Sequence, residues 1–256
     1  METLRIERAG NLGVLRLDKR RGNAIDEPLV EDLIEACRGL EADDSIRGIH
    51  LASAHPKLFC PGLDLVGLLA YERASMRRFM MRFAEAVRAL YGLRMPVVAA
   101  LEGHAVAGGC VLALTADWRI IRSGGASIGL NEVRVGVPLP WSVVVLLRSS
   151  VRPEHLSEVA LLGRNYADGE ALATGIVHEL APAAGFEETC LARLRELAEK
   201  DGGAFAATKS YLRTEALAAM AAHEEEHIDE WLDCWFSDPT RARIRATVAS
   251  LGKPRS

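Results

Sequence analysis

A glycine-bearing segment, residues 103–117, constrains the fold of this chain more than any other feature. It follows an apolar run at 97–101 that predicts a buried strand, and it leads into residues 110–114, which predict a helix packed on all sides. Gly108 and Gly109 lie at the junction. Glycines at a helix start leave backbone N–H groups unpaired and uncovered, and these suit a phosphate or an oxyanion that forms during a reaction. Alternatively, the glycines only permit tight packing of strand against helix.

Composition argues against several classes of function. The 256 residues suffice for one large domain or a domain with an appendage, and the net charge of −4 offers no basic field for nucleic acid or an anionic membrane. The five cysteines are odd in number and form no CxxC pair, so we expect neither a disulfide framework nor a zinc knuckle, and a reducing cytoplasmic setting. The charged residues 1–8 lack the apolar core of a secretory signal, and Glu102 and His104 interrupt the most apolar stretch, so we expect no membrane span.

Short strands alternate with helices over roughly the first 180 residues, and only helices are predicted from about residue 186 onward. Asp26 is placed to cap a helix that carries Pro28 in its first turn. The helical pattern at 65–90 is less regular at 71–75, which suggests two pieces. Strands are predicted at 4–18, 46–52, 97–101, 117–122 and 176–180, and residues 127–132 are predicted to be a short strand or a loop. This order predicts an α/β domain followed by a helical appendage.

Two loops have the features of matched oxyanion donors. In the loop at residues 59–64, Gly62 permits a tight turn that presents the N–H of Leu63 at the start of a helix capped by Asp64. The second donor is the N–H of Gly108. Two backbone donors that converge on one oxygen stabilise an enolate or a tetrahedral intermediate.

The chain resembles the crotonase superfamily, the enoyl-CoA hydratase/isomerase family, over nearly its whole length. Six segments carry the resemblance, in family order: 22–25, 57–65, 103–110, 116–119, 129–133 and 171–177. It implies a crotonase-like ββα spiral core over residues 1–195 and a helical C-terminal region over 196–256 that builds trimers, often paired into hexamers. It also implies an acyl-CoA thioester substrate, with coenzyme A as part of the substrate and no separate cofactor. The family's oxyanion donors match Leu63 and Gly108.

The acidic residues decide which reaction is expected. By resemblance, family hydratases carry two glutamates, whose positions match Val111 and Glu132, so one carboxylate is absent here. A single carboxylate is enough to move a proton from C2 to C4 of a 3-enoyl thioester. The segments around Glu132 and the two donors also resemble isomerases of the mitochondrial type, which implies Δ3,Δ2-enoyl-CoA isomerisation in fatty acid β-oxidation. Alternatives are a hydratase, a thioester hydrolase, a non-catalytic acyl-CoA-binding trimer, or a Glu132 merely paired with Arg134 or Arg122.

Binding residues follow from the same resemblance. Apolar side chains expected to wall the acyl pocket, and to raise the basicity of Glu132 by desolvation, are Leu68, Leu69, Val111, Pro138, Pro140 and Trp141. Residues expected to hold coenzyme A are Lys19, Arg20, Gly22, Ala24, Phe59, Cys60, Pro61 and Gly62. Further cations are Arg21, Lys57 and, from a neighbouring subunit, Lys209. The basic cluster at 19–21 is alternatively a solvated turn.

The helical tail holds a competing motif. His223 and His227 match H-E-x-x-H, which can place two zinc-binding imidazoles on one helix face, but the neighbours are acidic and no third ligand is evident. A solvated acidic helix is the preferred interpretation, and no metal is expected. Trp231, Trp235 and Phe236 have helical spacing and are interpreted as packing at the trimer interface.

Overall fold

The computed structural model describes residues 1–20 and 22–251, which form two β-sheets wrapped by helices. The strands are β1 (Leu4–Ala9), β2 (Leu12–Leu17), β3 (Gly48–Ser53), β4 (Leu58–Cys60), β5 (Val97–Leu101), β6 (His104–Val106), β7 (Trp118–Arg122), β8 (Ile128–Gly129) and β9 (Glu179–Ala181). The helices are α1 (Glu27–Ala42), α2 (Leu65–Leu68), α3 (Arg73–Gly92), α4 (Gly108–Leu114), α5 (Glu132–Val135), α6 (Trp141–Ser150), α7 (Leu156–Leu161), α8 (Asp168–Ala173), α9 (Phe186–Ala198), α10 (Gly202–Phe236) and α11 (Asp238–Leu251).

The sheets confirm the predicted α/β spiral. The larger sheet has the order β1-β2-β3-β5-β7-β9, antiparallel only between β1 and β2, and the smaller sheet is the parallel set β4-β6-β8. Three successive turns of the chain each place one strand in the large sheet (β3, β5 and β7), the next in the small sheet (β4, β6 and β8), and then a helix. Because β4, β6 and β8 run parallel, their carboxyl ends meet at one edge of the small sheet. The residues that follow these three strands are therefore brought together.

Local structure agrees with most of the sequence pattern. The Asp26 carboxylate caps α1 by accepting from the N–H of Leu29 at 3.2 Å, and the predicted break separates α2 from α3. The single strand predicted at 4–18 is instead a hairpin, because Gly10 turns the chain with a φ of 67°. The strand predicted at 176–180 begins only at Glu179, since the carbonyl of Ile176 accepts from the side chain of Arg119.

The C-terminal helices share one hydrophobic core with the spiral. Helix α10 packs against α3 and α6, and α11 packs against α2 and α5. Trp231 and Trp235 are 3% and 1% exposed within this single chain, so their interpretation as trimer contacts is wrong: they are buried against their own spiral. The boundary at residues 195 and 196 stays a prediction. None of the helices within residues 1–20 and 22–251 has the length and apolarity needed to cross a membrane.

A buried ion cluster joins α10 to the spiral. The Asp117 carboxylate accepts from Lys209 and Arg213, each at 2.7 Å, and from the N–H of Val97 at 2.7 Å. Asp117 is therefore a structural carboxylate, while the neighbouring Arg119 guanidinium donates to main-chain carbonyls instead. Lys209 is 6% exposed and paired within its own chain, so its predicted role toward a neighbour's coenzyme A is wrong.

Candidate active site

The N–H of Leu63 is oriented by a short parallel bridge to Ile25. Ile25 donates to the carbonyl of Gly62 at 2.8 Å and accepts from the N–H of Asp64 at 2.9 Å. Successive peptide groups of an extended segment face opposite sides, so the N–H of Leu63 faces away from Ile25. No backbone acceptor in the described part of the chain bonds to it. Leu63 thus presents an unpaired donor beside a cavity that it lines.

The second predicted donor, the N–H of Gly108, follows a strained residue. Ala107 has φ 51° and ψ −122°, in the left-handed half of conformational space that a residue with a Cβ rarely adopts. This turn ends β6 and starts α4, whose first N–H groups have no partner within the helix. The Gly62 loop lies directly against it, since a Cβ on Gly62 would be 3.1 Å from the nitrogen of Gly108. The structure therefore brings the two predicted donor loops together.

Gly109 has a different role from Gly108. A Cβ on Gly109 would lie 2.0 Å from the carbonyl oxygen of Cys60, so β4 and α4 can approach this closely only over a glycine. The packing interpretation of the glycine pair thus holds for Gly109, while Gly108 lines the cavity.

Glu132 begins α5, directly after β8, and lines the same cavity as Leu63 and Gly108. Its Oε2 atom is buried without a hydrogen-bond partner among the described residues. Burial raises the pKa of the carboxyl to about 7, and the N–H groups of Glu132 and Asn131 offset only part of that effect. The alternative of a pair with Arg122 or Arg134 is wrong: Arg122 donates to the carbonyl of Glu102 at 2.7 Å, and neither arginine reaches Glu132 in the described ion pairs.

The cavity has a volume of about 430 Å³ and mainly apolar walls. Besides the two donor residues and Glu132, it is lined by Ala24, Pro61, Asp64, Leu65, Val66, Met80, Phe83, Val106, Ala107, Val111, Asn131, Val135, Val137, Pro140, Val143, Trp231, Trp235 and Thr247. Val111 is 1% exposed, so the position of a second family glutamate is filled by a buried hydrocarbon side chain. The other lining carboxylate, Asp64, caps α2 by accepting from the N–H of Gly67 at 3.3 Å.

Of the six residues predicted to wall the acyl pocket, only Val111 and Pro140 line this cavity. Leu68 and Leu69 pack into the hydrophobic core instead. Pro138 and Trp141 line a neighbouring cavity of about 210 Å³, because the indole of Trp141 donates to the carbonyl of Ala219 on α10 at 3.0 Å.

Among the wall residues that the sequence did not predict, five lie on three long helices. They are Met80 and Phe83 on α3, Trp231 and Trp235 on α10, and Thr247 on α11. Their helical spacing predicts that they are buried, but it does not indicate which buried surface they cover.

Of the residues predicted to hold coenzyme A, Ala24 and Pro61 line the cavity. Gly22 turns the chain with φ 75°, and Arg20 is exposed. The ammonium of Lys19 lies 2.5 Å from the Asp26 carboxylate, so its charge is partly neutralised. Arg21 lies outside the described residues.

The loop before α1 is bonded to the loop after β4. The Asn23 amide donates to the carbonyl of Phe59 at 2.8 Å, and the Cys60 thiol donates to the carbonyl of Asn23 at 3.0 Å. Both Phe59 and Cys60 are fully buried, so only their backbone atoms are placed to meet a ligand, and the carbonyl of Phe59 is already engaged by Asn23.

The H-E-x-x-H histidines pack against Trp141. His227 stacks on the indole with ring centres 4.6 Å apart, and His223 meets its edge at 5.8 Å. The buried Glu224 between them accepts from the N–H of Ser142 at 2.8 Å and so caps α6. Over the described ranges, no three His, Cys, Asp or Glu side chains converge as a metal site would require.

The chain resembles known proteins in both sequence and fold. The model of the enoyl-CoA hydratase/isomerase family matches residues 7–233. The chain is 25% identical over 241 residues to mitochondrial enoyl-CoA delta isomerase 1 of Homo sapiens, covering 94% of this chain and 80% of that protein. It is 29% identical over 213 residues to carnitinyl-CoA dehydratase of Escherichia coli K12, covering 83% and 81%. The crystal structure of human mitochondrial Δ3-Δ2-enoyl-CoA isomerase shares the fold with a TM-score of 0.93 over 98% of each chain, at 24% identity.

Proposed function

We propose that this chain, which belongs to the enoyl-CoA hydratase/isomerase family, shifts the double bond of 3-enoyl-CoA to give 2-trans-enoyl-CoA. One observation carries the choice of reaction: Glu132 is an unpaired carboxyl in an apolar cavity, and the place of a second glutamate is held by Val111.

The reaction needs one base and one oxyanion site. The N–H groups of Leu63 and Gly108 donate to the thioester oxygen, and the Glu132 carboxylate takes a proton from C2. The C2–H electron pair forms the C1=C2 bond of a dienolate, whose negative charge rests on the oxygen. Glu132 then returns the proton to C4: the C3=C4 electron pair forms the new C4–H bond, the C1=C2 pair becomes the C2=C3 double bond, and an electron pair of the oxygen re-forms the carbonyl. No atom is gained or lost, so no cofactor takes part.

The electrostatics of Glu132 suit both halves of this transfer. A carboxyl with a pKa near 7 accepts and returns a proton at neutral pH with little bias toward either form. Apolar walls keep water from the dienolate, and this favours proton return over hydration.

Hydration or dehydration is the second candidate, and two observations favour it. One relative is a dehydratase, and Asp64 supplies a second carboxylate to the cavity wall. Adding water to a double bond needs a group that orients the water and a group that moves its protons. The Asp64 carboxylate is engaged as the cap of α2, so we rank this candidate below isomerisation.

The test supplies the purified protein with 3-enoyl-CoA and, separately, with 2-trans-enoyl-CoA. Conjugated thioester formation and hydration are followed independently. Isomerisation is expected, with a loss of about 10²- to 10⁴-fold in Glu132→Gln and little change in Asp64→Asn. The exposed Glu225→Gln is the matched control. Hydration without isomerisation, or loss of turnover only in Asp64→Asn, would transfer the assignment to the second candidate. Coenzyme A thioester binding without turnover would indicate a non-catalytic binding protein.

We also propose a homo-oligomer, a trimer or a pair of trimers. Tyr211 and Leu212 on α10 are 80% and 78% exposed, and so much exposed apolar surface supports contact with another subunit. Sedimentation equilibrium measures the assembly directly, and a monomer at micromolar concentration would contradict the proposal.

A further inference from the structure

We infer that α11 positions the two reacting groups relative to one another, through Thr240 and Arg241. The inference rests on the proposed function. Helix α11 packs against α2, which follows Leu63, and against α5, which begins with Glu132. These two short helices connect the oxyanion donor and the carboxylate to the rest of the chain.

Thr240 holds the end of α5. Its hydroxyl donates to the carbonyl of Gly136 at 3.0 Å, and its side chain is almost fully buried. Gly136 ends the helix with φ 104°, and its N–H donates back to the carbonyl of Glu132 at 3.0 Å. A Cβ on Gly136 would lie 2.6 Å from the Thr240 hydroxyl, so the contact is close and specific. Two hydrogen bonds thus connect α11 to the backbone of Glu132.

Arg241, the next residue, holds the end of α2. Its guanidinium donates to the carbonyl of Leu69 at 2.8 Å, and its Nη1 atom is buried without a partner among the described residues. Leu69 caps the helix whose first turn follows Leu63 and Asp64. A cation at a helix C-terminus satisfies a carbonyl that the helix itself leaves unpaired.

Helices α2 and α5 have four residues each and are not stable alone, because the free energy of nucleating a helix exceeds what the hydrogen bonds of a single turn contribute. Their orientation must therefore come from tertiary contacts. Thr240 and Arg241 are consecutive residues of α11, and they contact the C-terminal ends of α5 and α2. Helix α11 therefore sets the position of α2 relative to α5. Two turns further on, Thr247 lines the cavity, so the same helix also helps to exclude water from Glu132.

The titratable groups around Glu132 are few. Asp64 shares the cavity, the Cys110 thiol of α4 lies close enough for Glu132 to raise its pKa, and Arg243 of α11 lies beside Gly136. Desolvation remains the largest influence on the Glu132 pKa, so loosening α11 should lower it by admitting water.

The test removes each bond with little change in volume. Thr240→Val and Arg241→Met are compared with Thr240→Ser, which keeps the hydroxyl, and with the control Thr214→Val. Thr214 bonds only within α10, to the carbonyl of Ser210, and is exposed. We expect Thr240→Val and Arg241→Met each to lower kcat by about 10- to 100-fold with little change in KM. The reacting groups are misplaced in these variants, while the surfaces that bind substrate persist. The acidic midpoint of kcat/KM should fall below 7, and the serine variant should recover both values.

A second readout needs no turnover. The increase in the free energy of unfolding that Glu132→Gln gives at pH 8 is measured in wild type, Thr240→Val and Arg241→Met. This increase should be smaller in the two variants than in wild type. If wild type shows no isomerisation, the proposed function fails, while this readout still decides the positioning. The control Thr214→Val should keep both the midpoint and kcat. If Thr240→Val and Arg241→Met also keep both values and lose only stability, the inference is overturned.

Discussion

Replacing Glu132 by glutamine should stabilise the folded protein at alkaline pH while it lowers turnover. Burial raises the pKa of this carboxyl from its ordinary 4.5 to about 7. Between these values the folded state binds more protons than the unfolded state, so stability falls as pH rises from about 4.5 to about 7. At about 1.4 kcal/mol per pKa unit, the ionised carboxyl costs the folded state on the order of 3 kcal/mol at pH 8. Glutamine is neutral throughout, so that cost disappears.

Urea unfolding of wild type, Glu132→Gln and the exposed control Glu225→Gln, at pH 5 and pH 8, measures the effect. The advantage of Glu132→Gln over wild type should grow by roughly 2 kcal/mol between the two pH values, because most of the native carboxyl ionises in that interval. The control should follow wild type at both. If the free energies of unfolding of wild type and Glu132→Gln depend on pH in the same way, the Glu132 carboxyl is not desolvated. Glu132 is then not a single acid/base tuned by burial.

Further predictions follow from individual contacts. kcat/KM should rise with pH through a midpoint near 7, because only ionised Glu132 accepts a proton, and a midpoint near 4.5 would contradict this. Gly109→Ala should destabilise by about 3 kcal/mol or more in urea unfolding, because its Cβ meets a carbonyl of β4 at 2.0 Å, whereas Gly39→Ala in α1 meets nothing within 4 Å and should stabilise by up to about 1 kcal/mol. Asp117→Asn should cost about 3–5 kcal/mol by thermal unfolding, since two buried cations lose their partner, and a loss below 1 kcal/mol would refute that. Val111→Glu should introduce measurable hydration of 2-enoyl-CoA, because it adds a second carboxylate beside Glu132. If the variant shows no hydration, the missing carboxylate is not what prevents hydration.

The two donor loops could be predicted from the sequence because their backbone features are local, whereas Glu132 could be predicted only through the resemblance to a family. A glycine turn, a helix start and a capping aspartate lie within a few residues, as at Gly62 to Asp64, and backbone rules alone then predict an exposed N–H. The order of strands and helices likewise follows from periodicity, and the residues that break it, such as Gly10, are short-range turns.

The acyl wall could not be predicted in the same way. Helical spacing marks Trp231, Trp235 and Trp141 as buried, yet the choice between the catalytic cavity, the neighbouring cavity and a subunit interface depends on how α10 crosses α3 and α6. That crossing is set by long-range packing, which a residue pattern in one helix does not contain. The Asp117 cluster shows the same limit, because its cations lie 92 and 96 residues away along the chain.

The three groups that we propose to react come from three successive turns of the spiral: Leu63 follows β4, Gly108 follows β6, and Glu132 follows β8. Parallel pairing of those strands brings the three groups to one edge of the small sheet. Val111 lies in the first turn of α4 and lines the cavity, so under the proposed function a change there alters the acid/base complement without replacing either backbone donor. The proposed oxyanion donors therefore depend on backbone at the sheet edge, whereas the proposed choice between proton transfer and hydration depends on the side chains carried there.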